Sequence, residues 1–136
     1  MSSHLTWAII RNNSAFLRKG ARGCSFTTEA NNLKGKNSFK YNGLIHKQTF
    51  GVEAAKDGKG VVIVTKKARG GRKPSKSMAR VELKKDARRT FATISKTISK
   101  SKDRRGLKMA ALRRASAILQ SQKPVVAKKA HKKKRE

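Results

Sequence analysis

Between Asn31 and Gly51 the chain reads Asn-Asn-Leu-Lys-Gly-Lys-Asn-Ser-Phe-Lys-Tyr-Asn-Gly-Leu-Ile-His-Lys-Gln-Thr-Phe-Gly, with no apolar periodicity that would bury a regular element. Lys34, Lys36, Lys40 and Lys47 can neutralise phosphates. The amides of Asn32, Asn37 and Asn42 can bond to sugars, phosphates or base edges, and Phe39 and Tyr41 supply flat rings that either stack on bases or wedge the loop against its own domain. His46 can hydrogen-bond RNA or pack behind Leu44 and Ile45. Phosphate neutralisers, edge readers and stacking faces together are what irregular single-stranded or looped RNA requires of a protein. The competing reading is a basic surface loop with its aromatics tucked into a small core.

Other chemistries find no support in the residues. The seven acids, Glu29, Glu53, Asp57, Glu82, Asp86, Asp103 and Glu136, are scattered, so no catalytic pair is expected. His4, His46 and His131 lack ligand spacing to one another or to Cys24, which argues against a metal site. Ser14 and Cys24 have no convincing base, and no phosphate-binding Gly-x-x-x-x-Gly-Lys-Ser/Thr occurs. We therefore expect no enzyme activity, no cofactor and no small-molecule substrate. The lone Cys24 excludes an internal disulfide and points to a reducing compartment. No apolar run approaches the roughly 20 residues of a membrane span, so no membrane partner is expected. The segment 1–28 is basic and acid-free like a mitochondrial transit peptide, but that bias runs through the whole chain and is not a local signal.

Charge narrows the partner. The chain has 36 Lys and Arg against 7 acids, a formal net charge of +29 on 136 residues. Residues 1–60 hold 10 basic and 3 acidic side chains, whereas residues 61–136 hold 26 and 4. Such density repels itself over a Debye length of about 10 Å unless a polyanion is close. Length permits one small domain with a marginal core.

The elements that must position these residues follow from pattern. Ser2 or Ser3 can cap a short helix through 4–10, with Trp7 as core anchor or base-stacking ring. Segments 15–18 and 24–28 suit a hairpin. Strands at 48–53 and 61–65 flank Asp57-Gly58, the strongest hairpin signal in the chain. These elements make a small α+β domain over 1–67, with 31–47 as its RNA-contacting loop. A basic Gly/Pro-containing linker or loop, 68–82, brings Arg69, Arg72 and Lys73; its end, 78–83, can add a strand. Two basic amphipathic helices then span 83–123. Leu83, Ala87, Phe91, Ile94 and Ile98 form the first stripe; Leu107, Ala111, Leu112, Ala115, Ile118 and Leu119 form the second. Arg88, Arg89, Arg113 and Arg114 fall opposite the stripes. Arg104 and Arg105 sit at the break, and Lys123 closes the second helix. A solvated face normally alternates signs, and the near absence of acids here favours phosphate contact. Pro124 opens a Lys-rich tail, 124–136, expected to be disordered.

Several blocks, Asn31-Asn32-Leu33-Lys34, Asn37 to His46, Gly51-Val52-Glu53, Asp57 to Val61, Met109-Ala110-Ala111, Arg113 to Leu119 and Ser121 to Pro124, resemble the eukaryote-specific family of ribosomal protein 28 of the large (60S) subunit. His4-Leu5, Trp7 and Arg11-Asn12 fit as well, while 66–84 and the tail match in character only. The resemblance implies a structural protein of the cytoplasmic ribosome, assembled with large-subunit rRNA in the nucleolus, meeting neighbouring ribosomal proteins and catalysing nothing. The alternatives are a nuclear large-subunit assembly factor, whose family resembles the N-terminal part only, and a linker-histone-like DNA-binding protein, which would need neither the strands nor the Asn/aromatic loop.

Overall fold

The computed structural model describes residues 2–67 and 73–125. At its centre lies the β-branched run, now Val61–Lys66 (β4), with Val61, Val62, Ile63 and Val64 all buried. A strand buried on both faces needs a partner at each edge and cover above and below. The partners are Phe50–Ala54 (β3) and Met78–Leu83 (β5), both antiparallel, in the order β3-β4-β5. Val52 stands opposite Ile63, and Ile63 opposite Val81. The expected hairpin joins β3 to β4. Gly58 and Gly60 take φ of 68° and 96°, the left-handed region that an Asp-Gly turn requires, and the Gly58 N–H donates to the Ala55 carbonyl at 3.0 Å.

Cover on one face comes from the two C-terminal helices, Ala87–Lys100 (α3) and Lys108–Ser121 (α4), joined by the 3₁₀ segment Lys102–Leu107. Phe50, Val52, Val61 and Ile63 pack there with Ile94, Ile98, Leu107, Ala110, Ala111 and Ala115. Ala111 and Ala115 are fully buried, and their small side chains let α4 lie close against β3. The opposite face holds a smaller cluster of Ala55, Val62 and Val64. The Arg80–Glu53 ion pair (3.1 Å) joins the strands that flank it.

The chain before β3 is less regular. Ser3–Ile10 (α1) is followed by a hairpin of Leu17–Lys19 (β1) and Ser25–Thr27 (β2), turned by a 3₁₀ segment in which Arg22 and Gly23 take φ of 59° and 74°. Ser2 stands at the N-cap of α1 without a side-chain bond, while Ser3 Oγ donates to the Ile45 carbonyl (3.1 Å) and ties the helix to the loop. The apolar residues of α1 do not make a core face: Leu5 and Ile9 are 56% and 65% exposed, and the helix buries no residue fully.

The architecture is α+β, as the patterns require, with two differences of extent. The strand that the residues allow at 78–83 is β5, so 78–82 belongs to the sheet and not to the linker expected over 68–82, because β4 needs a second hydrogen-bonded edge; Pro74–Ser77 (α2) forms one helical turn before it. Leu83, expected as the first rung of the helical stripe, instead ends β5 opposite Val61, and α3 begins at Ala87 after Asp86. Strands before Lys67 and helices after it thus share one core. The tail beyond Val125 lies outside the described residues.

Ile94 is 1% exposed at the sheet–helix junction and Val81, on the edge strand, is 51% exposed. Ile94→Ala should lower the unfolding free energy by about 2–5 kcal/mol in urea titrations, and Val81→Ala by less than about 0.5 kcal/mol.

Candidate nucleic-acid interface

The loop 31–47 holds its shape with little regular structure because its backbone groups are satisfied by side chains. Asn32 is buried. Its amide nitrogen donates to Glu29 Oε1 (2.8 Å) and the Lys36 carbonyl (2.9 Å), and its oxygen accepts from the N–H groups of Lys34 (3.2 Å) and Gly35 (2.9 Å). Asn42, also buried, accepts from the N–H groups of Leu44 (2.8 Å) and Ile45 (3.1 Å). Glu29, buried beneath the loop, accepts from the Gly43 N–H as well (3.2 Å). Gly43 is required by close approach, since a Cβ there would collide with the Ala30 carbonyl. Asn37 donates to the Arg11 carbonyl at 2.7 Å. The amides of Asn32 and Asn42, read from the sequence as edge readers, are committed to the loop's own frame.

The rings divide the loop. Phe39 stacks on His4 (4.7 Å, 17°) and meets Trp7 and His46 edge-on (6.1 and 4.9 Å), so it wedges the loop against α1. His46 Nε2 donates to the Phe39 carbonyl (2.6 Å), which keeps the proton on that nitrogen. Its pKa lies below the ordinary value of 6.5 chiefly because burial disfavours the imidazolium, outweighing that hydrogen bond; Arg104, His4 and Lys66 add like-charge repulsion. Tyr41 packs at the rim of the main core and carries the ammonium groups of Lys34 and Lys40 at 4.9 and 5.7 Å from its centroid.

Two of the arginines expected to face phosphate are braces instead. Arg114 Nε donates to the Val52 carbonyl (2.9 Å), and its Nη1 to the carbonyls of Asn32 (2.9 Å) and Leu33 (3.2 Å). It thereby fastens α4 to the edge strand β3 and to the root of the loop. The reason is geometric: β3 is an edge strand beside α4, and its outward carbonyls need donors that the ladder does not supply. Arg104 Nη2 donates to the Lys40 carbonyl (2.8 Å), and burial lowers the pKa of its guanidinium. The sequence missed these roles, although Ala111, Arg114, Ala115 and Ile118 share helical spacing, so Arg114 borders the buried stripe. Glu29 was missed too, and nothing in its neighbourhood marks it as an internal acceptor.

The remaining expected cations are open. Lys36, Lys47, Lys73, Arg88, Arg105, Arg113 and Lys123 are exposed, and Arg89 pairs loosely with Asp86 (3.6 Å). Arg69 and Arg72 lie outside the described residues. Acid–base pairs gather around the sheet and the start of α3: Arg80–Glu53, Lys84–Asp57, Lys84–Glu82 and Arg89–Asp86. Among the side chains described, which do not include that of Asp103, none of Lys34, Lys36, Lys40 and Lys47 has a carboxylate in pairing range. No described group of three His, Cys, Asp or Glu could hold a metal ion. Nor is any helix among the described residues long and apolar enough to cross a membrane.

An α+β fold of this size, with acids paired at one side and unpaired lysines on a braced loop, has the make-up of a ribosomal protein. The chain belongs to the Ribosomal L28e protein family, whose family model matches residues 5–121. It is similar to the large ribosomal subunit protein eL28 of Caenorhabditis elegans, 42% identical over 123 residues that cover 90% of this chain and 91% of that protein. The protein of the same name from Schizosaccharomyces pombe is 35% identical over 128 residues, covering 91% and 95%. That from Dictyostelium discoideum is 35% identical over 134 residues, covering 97% and 99%.

Arg114→Ala removes a charged donor from three carbonyls and should cost about 1.5–3 kcal/mol of stability in urea titrations, whereas Arg113→Ala should cost less than about 0.5 kcal/mol. His46 gives a pH dependence of definite sign. Its folded pKa is depressed, so its contribution to stability is present above 6.5 and is lost as pH falls from there through the lowered folded value. The thermal midpoint should drop across that window, and His46→Gln should flatten that part of the curve.

Proposed function

We propose that this chain is a structural constituent of the large subunit of the eukaryotic cytoplasmic ribosome, where it binds and braces rRNA in support of translation. The observation that carries the proposal is the separation of charge: Glu53, Asp57, Glu82 and Asp86 are paired around the sheet and the start of α3, Glu29 is buried under the loop, and none of these five acids pairs with the lysines of 34–47. Family membership supports the same reading. In it, Lys34, Lys36, Lys40 and Lys47 neutralise phosphates along the loop, Arg105 extends that surface, and Arg88 and Arg113 present the helices to rRNA. Asn32, Asn42, Arg104 and Arg114 act indirectly by holding the loop. The role requires no catalysis. Assembly with rRNA would take place in the nucleolus before export. The face of α1 bearing Leu5 and Ile9 has no Lys or Arg and suits a neighbouring ribosomal protein better than phosphate.

If about ten phosphates are engaged, the logarithm of affinity for deproteinised large-subunit rRNA should fall against log salt with a slope of roughly 7–9. The chain should also remain in large subunits purified from cytoplasm and washed at high salt. A slope of about 1–2, or confinement to nuclear precursors, would contradict residence in the mature subunit.

A further inference from the structure

We propose that Lys34 and Lys40, held on the Tyr41 ring and backed by Arg104, form a clamp for neighbouring phosphates of one RNA strand, with Tyr41 as the positioning residue that sets the spacing of the two ammonium groups. The proposal rests on the rRNA-binding reading above and specifies where on the loop a strand is gripped.

Four observations converge on it. Both ammonium groups lie within 6 Å of one ring centroid, at 4.9 and 5.7 Å. Two like charges sharing a ring repel each other, and the ring's electron-rich face offsets part of that repulsion. Among the side chains described, which do not include that of Asp103, no carboxylate is within pairing range of either lysine to offset the rest, so an anion is the group that completes the site. The backbone beneath each lysine is fixed separately: the Lys34 N–H by Asn32 Oδ1, and the Lys40 carbonyl by Arg104 Nη2 at 2.8 Å. Lys40 also lies along the 3₁₀ segment, where a Cβ at Gly106 would stand 3.3 Å from its Nζ. Finally, Arg104 is a third cation at this seam, and its Nε is buried without an acceptor. Burial lowers its pKa, because a charge taken from water is disfavoured. A strand laid across Lys34 and Lys40 would supply that counter-charge. In the clamp Tyr41 works through the two lysines and not as a stacking platform.

The test is a mutant cycle in the full chain, with deproteinised large-subunit rRNA as probe and salt titrations as readout. Lys34→Ala and Lys40→Ala should each reduce the slope by about 0.7–0.9. Tyr41→Leu should weaken binding about 3- to 10-fold, and Tyr41→Phe should restore it. The decisive arm is Tyr41→Leu in the Lys34→Ala/Lys40→Ala background, where it should have no further effect. A full Tyr41→Leu loss in that background, from base stacking or from damage to the fold, would overturn the clamp, as would lysine variants with the wild-type slope. Wild-type chain that shows no measurable binding to deproteinised large-subunit rRNA would instead overturn the rRNA-binding reading on which the clamp rests.

Discussion

Thirty-six cationic side chains against seven acids place most charges of this chain within reach of a like charge, and Glu29, Glu53, Asp57 and Glu82 are positioned where that repulsion would otherwise oppose folding. Glu53 meets Arg80 across the central strand, and Lys84 is held between Asp57 and Glu82, linking the β3–β4 turn to β5. Glu29 is placed differently: buried, it accepts from Asn32 and Gly43 beneath a loop crowded with lysines. The few acids thus stabilise the sheet and the underside of the loop, and the outer loop surface stays uniformly positive. Self-repulsion is relieved inside the fold and left standing on the face that a polyanion can cover.

That arrangement depends on an irregular loop holding a fixed shape. Regular ladders would satisfy its backbone but would hide half of its side chains on a packed face. Here buried asparagines replace the ladder. Asn32 and Asn42 each receive two backbone N–H groups, and Asn32 also donates to a carboxylate and a carbonyl. The lysines between them remain at the surface. Phe39 pins the loop to α1 through His4 and Trp7, while Tyr41 joins it to the main core.

Much of the fold is legible in the residues alone. The Val61–Thr65 run, the Asp57-Gly58 turn and the stripe through Ile94 and Ile98 are local signals with a single physical reading, and they place β3, β4 and α3 within a few residues. Leu83 is not legible in this way, because an apolar residue four positions before Ala87 fits a helical stripe as well as the end of a strand. Only the pairing with Val61, set by β4's need for a second edge, decides between them. The asparagines are ambiguous for a related reason. One amide can read a base edge or cap a turn, and burial, which composition cannot report, selects the turn for Asn32 and Asn42. The lysines 34, 36, 40 and 47 are exposed as their spacing suggests.

Arg114 shows why counting cations misleads in so basic a protein. A guanidinium donates in several in-plane directions, so one residue can serve Val52 on the sheet edge and Asn32 and Leu33 at the loop root. A lysine could not hold all three in a fixed plane. Phosphate oxygens and orphaned carbonyls ask for the same donor, and the choice is made by distance: carbonyls within the fold are met first, at no cost in bringing a partner from solution. Arg104 follows the same rule at Lys40. The cations free to meet an outside anion are therefore those that remain after edge strands and irregular turns have taken their donors. Arg104 at the break between the helices and Arg114 on α4, both assigned to RNA from position and charge, belong to the framework that keeps the loop in place.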